Sequence, residues 1–203
     1  MAAAKLFVIG DSISMHYGPY LKKNLEGRFV YGRKGEGKDF GNINDVSEVN
    51  GGDSLCVLEY LSKIIDSGFS TDYLMLNCGL HDIKTDPKTG KVQVGLDDYV
   101  SNLNDIFKLA ADNSIKLIWA RITPVDDNQH NKPGMSFFRY RKDVAAYNKA
   151  ADEIFKAAGV DSIDLHSFTH NLDEPLFCDH IHFNEPVRKL QAAFIAGYLF
   201  SLS

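Results

Sequence analysis

Short β-rich runs alternate with amphipathic stretches along this chain, and that alternation constrains its fold more than any other feature. Lys5 to Ile9 is an apolar run ending at Gly10-Asp11. Pro19 to Glu26 reads as a helix, with Pro in its first turn and Gly27 as its stop. Phe29 to Tyr31 is a short second strand, and the Gly- and Asn-rich stretch 32–52 is a loop. Asp53 to Ser67 carries Val57, Leu58, Leu61, Ile64 and Ile65 at helical spacing, closed by Gly68. Tyr73 to Asn77 is a third strand, and 84–95 is a loop. Asp97 to Asp112 is the clearest helix, Ile115 to Ala120 a buried-type strand, and 123–137 a long loop. Tyr140 to Ala158 is a helix closed by Gly159, and Val160 to Asp164 a weak strand. The stretch 166–185 is irregular and leads to a last helix, Pro186 to Leu202. Strands that alternate with helices predict an α/β fold, a parallel sheet covered on both faces. In such sheets the ligand crevice lies beyond the C-terminal strand ends.

Composition narrows the function. At 203 residues a single domain, 1–203, is expected, and it buries enough surface to need no staples. With 22 Lys+Arg against 27 Asp+Glu the net charge is -5, so no nucleic-acid partner and no anionic membrane partner is expected. No apolar run approaches the ~20 residues of a membrane helix. The N-terminus, Met1 to Lys5, lacks a basic region followed by a separate apolar stretch, so a cytoplasmic enzyme is expected. A secreted protein whose leader has been removed is the alternative. Cys56, Cys78 and Cys178 are odd in number, which argues against a disulfide framework while leaving one bridge plus a free thiol open.

The chemistry-bearing residues sit where such a sheet would gather them. Gly10-Asp11-Ser12-Ile13 follows the first strand, and Gly79-Leu80-His81-Asp82 follows the third. Cys178-Asp179-His180-Ile181-His182 precedes the last helix. A hydroxyl is a poor nucleophile without a neighbouring base, and a His base needs a carboxylate to fix its tautomer. Ser12, His182 and Asp179 are the candidates for those three roles. The Ser12 N–H, the Gly52 N–H at a helix start and the His81 ring are candidate oxyanion donors. No Gly-x-Ser-x-Gly elbow occurs, so the ordinary α/β-hydrolase reading fails.

Over nearly its whole length the chain resembles the SGNH/GDSL hydrolase superfamily. Gly10-Asp11-Ser12-Ile13 matches the family's first block, and Asp179-His180-Ile181-His182 its Asp-x-x-His block. Gly52-Asp53-Ser54 is similar to the block whose Gly donates to the oxyanion. The remaining block departs: the family's Gly-x-Asn-Asp is here Gly79-Leu80-His81-Asp82, so His81 stands where a side-chain amide is usual. The resemblance implies a three-layer α/β/α sandwich with a five-stranded, flavodoxin-like parallel sheet in the order 2-1-3-4-5. It implies Ser12, Asp179 and His182 as the triad and no cofactor or metal. The implied activity is that of a serine esterase on short-chain, acetyl-type esters of a small molecule or oligosaccharide. A lysophospholipase- or thioesterase-type acyl hydrolase is the alternative, and a non-catalytic carbohydrate-binding relic is another.

Bland readings stand beside these. Asp11 and Asp82 are expected to fix loop backbone, and His180 to be a surface or structural residue. Arg33, Lys34 and Lys38 read as a solvated loop face, and Cys78 and Cys178 as small buried hydrophobes. Phe137, Phe138 and Tyr140 are core residues or pocket walls. A one-metal site built from Asp179, His180 and His182 is the rival chemistry, disfavoured because near neighbours on one short loop rarely aim at one ion.

Overall fold

The computed structural model describes residues 2–38, 43, 46, 48–173 and 175–202. Five parallel strands lie in the order β2-β1-β3-β4-β5: β1 (Ala4–Gly10), β2 (Phe29–Arg33), β3 (Tyr73–Asn77), β4 (Lys116–Ala120) and β5 (Asp161–Ile163). Register runs Val8↔Met75 between β1 and β3 and Met75↔Ile118 between β3 and β4. Helices α1 (Ser12–Asn24), α6 (Leu165–His170) and α7 (Glu185–Ser201) pack on one another, as do α2 (Ser54–Asp66), α3 (Leu96–Asp112) and α5 (Arg141–Ala157). These two groups cover opposite faces of the sheet, giving the flavodoxin-like sandwich expected from the sequence. The short α4 (Asp127–His130) lies in the connection after β4. The central strands β1, β3 and β4 are buried on both faces, as their uninterrupted apolar runs require.

The sequence-based boundaries of α2, α3, α5, α7 and β3 hold to within one or two residues. The first helix does not. It begins at Ser12, seven residues before the expected start, and carries Pro19 in its interior. The Asp11 side chain caps it by accepting from the Ile13 N–H at 2.9 Å, and caps of this kind contribute about 1 kcal/mol. Ile13, Tyr17 and Leu21, all fully buried, form an i, i+4, i+8 stripe against the core. Burying three large side chains outweighs the roughly 3 kcal/mol that an interior Pro costs. The loop 123–137 holds α4, and the stretch 166–185 begins inside α6.

Two further expectations are corrected. Arg33 and Lys34 are buried at 5 % and 3 % exposure rather than solvated. Lys34 Nζ donates to the carbonyls of Val46 and Asn50, so this lysine ties those two residues to the chain just beyond β2. Lys38 does lie on an exposed face, paired with Glu48. Cys178 is exposed, because its loop lies at the surface, whereas Cys78 is buried in the core; all three cysteines are free thiols. The expected loop 32–52 falls partly outside the described residues. Among the described residues no helix is long and apolar enough to cross a membrane.

Candidate active site

Ser12 is the first residue of α1, directly beyond the end of β1. Its N–H is a first-turn donor with no intrahelical acceptor, and the positive end of a 13-residue helix lies behind it. Its Oγ stands 2.9 Å from His182 Nε2. On the far side of the ring, His182 Nδ1 lies 2.7 Å from Asp179 Oδ2. Asp179 Oδ1 accepts from the N–H groups of Ile181 (2.8 Å) and His182 (2.7 Å). Partial burial pushes the Asp179 carboxyl up, but these N–H groups and the imidazole outweigh that effect and hold it down at about 2. An ionised carboxylate only accepts hydrogen bonds, so His182 Nδ1 carries the proton and Nε2 accepts from the Ser12 hydroxyl. The three residues therefore form one directed hydrogen-bonded chain. His182 is 6 % exposed, and its ring packs 4.7 Å from that of His16. Burial and the neighbouring Arg188 charge lower His16 to about 4, so a neutral ring lies against the base.

The opposite flank of Ser12 comes from separate segments. The Gly51 N–H donates to the Gly10 carbonyl at 2.9 Å, tethering the 50–54 segment to the end of β1. Gly52 has φ +77°, and a Cβ there would lie 2.5 Å from Val46 Cγ1, so only glycine fits. Its N–H donates to Asn50 Oδ1 at 2.9 Å, and Gly52 does not line the cavity that holds Ser12. The sequence-based donor is thus already engaged by a side chain. Asp82 accepts from the Ser54 N–H at 2.9 Å and from the Ser54 hydroxyl, which in turn accepts from Asn102 Nδ2. Burial pushes the Asp82 carboxyl up to about 7 against the pull of the Ser54 hydrogen bonds. Asp82 therefore does what its bland reading expected: it joins the 79–84 turn to the start of α2. That turn opens at Gly79, whose φ is +132° and whose Cβ position would fall 2.2 Å from Ile122 Cδ1.

His81 is 5 % exposed and lines the Ser12 cavity. Its Nδ1 lies 3.0 Å from Lys84 Nζ. An ammonium only donates, so Nδ1 is the accepting nitrogen and the ring proton sits on Nε2. That Nε2 has no hydrogen-bond partner among the described residues. Burial, with the Lys84 and Arg139 charges adding to it, lowers His81 to about 3 and keeps the ring neutral. The unusual residue of this block is thus a neutral imidazole with a defined tautomer, and an Nε2–H is the donor type that replaces an amide N–H.

The cavity measures about 360 Å³. Besides Asp11, Ser12, His81 and His182 it is lined by Leu80, Lys84, Met135, Phe137, Arg139 and His180, among others. Phe137 is the pocket wall among the three aromatics considered. Phe138 pairs its backbone with Thr85, and Tyr140 precedes α5 as its cap residue. His180 is a partly exposed wall, its ring 6.3 Å from that of His182. Sequence reasoning missed Lys84, Arg139 and His16. Lys84 and Arg139 lie on connections without periodicity, and His16 sits in the part of α1 that precedes the expected helix start at Pro19. Among the described residues no three His, Cys, Asp or Glu side chains converge as a metal site would need.

A family model described as GDSL-like lipase/acylhydrolase matches residues 6–195. The chain belongs to that family. GDSL-like relatives share its fold throughout. A lipase/acylhydrolase from Enterococcus faecalis superposes with TM-score 0.72 at 16% identity, covering 98% of this chain and 96% of that one. An acetyl xylan esterase superposes with TM-score 0.71 at 14% identity, covering 96% and 99%. A GDSL-like lipase from Bacteroides thetaiotaomicron gives 0.69 at 13%, covering 98% and 89%. No curated protein matches the chain. The family is one of lipases and acylhydrolases, and the Ser12 hydrogen-bonded chain lies within the matched residues.

Proposed function

We propose that this GDSL-like protein is a serine esterase that hydrolyses short-chain, acetyl-type carboxylic esters on a carbohydrate. The observation that carries the reading is the directed chain Asp179–His182–Ser12, with contacts of 2.7 and 2.9 Å. Ser12 Oγ attacks the ester carbonyl while His182 Nε2 takes its proton. Asp179 holds the ring and stabilises the imidazolium that forms. The oxyanion is met by the Ser12 N–H and the His81 Nε2–H. The Gly52 N–H, which donates to Asn50 Oδ1 and lies outside the cavity lining, is left out of this set. Each such donor contributes roughly 3–4 kcal/mol to the transition state. His182 then protonates the departing alkoxide, and water repeats the sequence on the acyl-enzyme to release the acid. No cofactor enters these steps.

The short acyl group follows from the small cavity of about 360 Å³. The carbohydrate follows from polar loops around the site and from the likeness to an acetyl xylan esterase. The test is hydrolysis of p-nitrophenyl acetate, butyrate and octanoate by wild type and Ser12→Ala, with and without EDTA. Activity that requires Ser12, ignores EDTA and falls with chain length is expected. Equal turnover by Ser12→Ala would overturn the mechanism. Inactivity of both proteins on every ester, acetylated sugars included, would leave the binding-relic reading.

A further inference from the structure

We propose that the cavity beside Ser12 receives an ester that itself carries an oxyanion, a carboxylate or phosphate, held by the Arg139 guanidinium with Lys84 beside it. This deepens the serine-esterase reading and rests on it. Arg139 is 4 % exposed, yet it forms no salt bridge with any described residue. Its Nε donates to the Leu80 carbonyl and its Nη1 to His130 Nε2 at 2.9 Å. Both acceptors are neutral, His130 being lowered to about 4 by burial and the Arg139 charge. The remaining nitrogen, Nη2, donates to no described residue. Burial lowers the guanidinium to about 10, so it stays charged at neutral pH. A buried charge without a carboxylate in hydrogen-bond contact is costly, and a polar acceptor offsets only part of that cost.

The surrounding described residues place no carboxylate in direct contact with the guanidinium. Asp11 is the one carboxylate of the cavity wall; it and Arg139 feel each other's charge, but they form no salt bridge, and Asp11 Oδ1 accepts from the Ile13 N–H. Lys84 is half-buried and also lacks a carboxylate partner among the described residues. Both cations lie over the ring of Phe137, at 4.8 Å for Arg139 and 5.0 Å for Lys84. Arg121 shows the contrast: it is more exposed than Arg139, yet two carboxylates, Asp152 and Asp164, hold it. The chain thus holds an arginine near its surface in two salt bridges and gives none, among the described residues, to the one that lines the candidate active site. A planar guanidinium beside a point-charge ammonium suits a carboxylate or phosphate. The transition-state oxyanion is too brief to balance a charge present in the resting enzyme, whereas a bound anionic ester balances it throughout binding.

The experiment compares matched ester pairs. p-Nitrophenyl hydrogen succinate against its methyl ester puts the charge on the acyl side. 4-Acetoxybenzoate against methyl 4-acetoxybenzoate puts it on the alcohol side, and 4-acetoxyphenyl phosphate tests phosphate there. In at least one pair the charged ester is expected to show kcat/KM about ten- to a hundredfold above its neutral partner. The preference is expected to persist in about 0.5 M NaCl, because buried charges are screened little. Neutral esters favoured in every pair, or a preference that vanishes with salt, would overturn the proposal. Arg139→Met and Lys84→Met are expected to collapse the ratio; because both esters share one oxyanion hole, the ratio cancels any loss of catalytic power. Should Arg139→Met fail to fold, the wild-type pairs still decide. If wild type turns over none of the esters, the esterase reading fails separately. Calorimetric binding of 4-hydroxybenzoate against its methyl ester to Ser12→Ala then tests the cavity alone, with no preference for the acid counting against it.

Discussion

Ser12 stands between two flanks built in different ways. On the proton-transfer side, one loop supplies everything: Asp179 accepts from the backbone of Ile181 and His182 and from the His182 ring, all within three residues. On the side of the proposed oxyanion donors, three distant segments meet: 50–54, 79–84 and the stretch around Arg139. They are joined by Asp82 to Ser54 and by Arg139 to the Leu80 carbonyl, and Asn102 of α3 donates to Ser54 from outside them. A flank closed by local hydrogen bonds leaves little freedom in its residues. A flank closed by long-range contacts can exchange its chemistry as long as the contacts hold. That is where His81 replaces an amide and where two cations gather.

The comparison is broken most sharply by deleting the base. His182→Ala is expected to lower kcat by about 10⁴-fold or more, whereas His180→Ala stays within a few-fold, both measured on p-nitrophenyl acetate with circular dichroism as the folding control. Equal losses would mean that the loop, not the ring of His182, matters. On the other flank, His81→Ala is expected to cost about 10²- to 10³-fold in kcat with little change in KM. His81→Asn should lie within about tenfold of wild type, because an amide N–H restores a donor. An inactive but folded His81→Asn would show that the imidazole does more than donate.

Lys84 sharpens the point. If it acts through the His81 tautomer, Lys84→Met costs about tenfold on a neutral ester, and nothing further in a His81→Asn background, where no tautomer exists. Additive losses in that double-mutant cycle would remove the link. The smallest effect concerns stability. The folded Asp82 titrates at about 7 while the unfolded carboxyl titrates near 4, so folding takes up a proton between those values. The contribution is fully present below about pH 4 and is lost as pH rises towards 7. Thermal melts across that window should show wild type losing stability relative to Asp82→Asn. Parallel curves would place Asp82 at an ordinary pKa.

Much of this was legible in the amino-acid order. The strands and the longer helices carry uninterrupted or periodic apolar residues and end at Gly27, Gly68 and Gly159, so pattern and punctuation agree. Ser12, Asp179 and His182 stand on motifs whose spacing is their geometry, and the structure brings those three into one chain of contacts. The start of α1 was hidden because Gly18-Pro19 mimics a break, and its core stripe becomes visible only once the sheet is in place. α4 and α6, four and six residues long, are shorter than any periodicity can reveal. The burial of Arg33, Lys34 and Arg139 runs against residue type and follows from carbonyls contributed by segments far away in the chain. Gly52 stood out in the sequence as a candidate donor at a helix start, but the claim of Asn50 on its N–H was not legible.

Gly79 bears on how this site can change. Its positive φ and its close approach to Ile122 set the path of the 79–84 turn, and Asp82 secures the turn from the other side. Neither contact involves the side chain at position 81. The backbone there behaves as a socket whose shape is independent of its plug, so Asn, Gln, Ser or Thr can be exchanged at that position without remaking the loop. Evolution, or a mutant library confined to residues 81 and 84, can therefore retune the electrophilic half of the reaction while the nucleophilic half stays untouched.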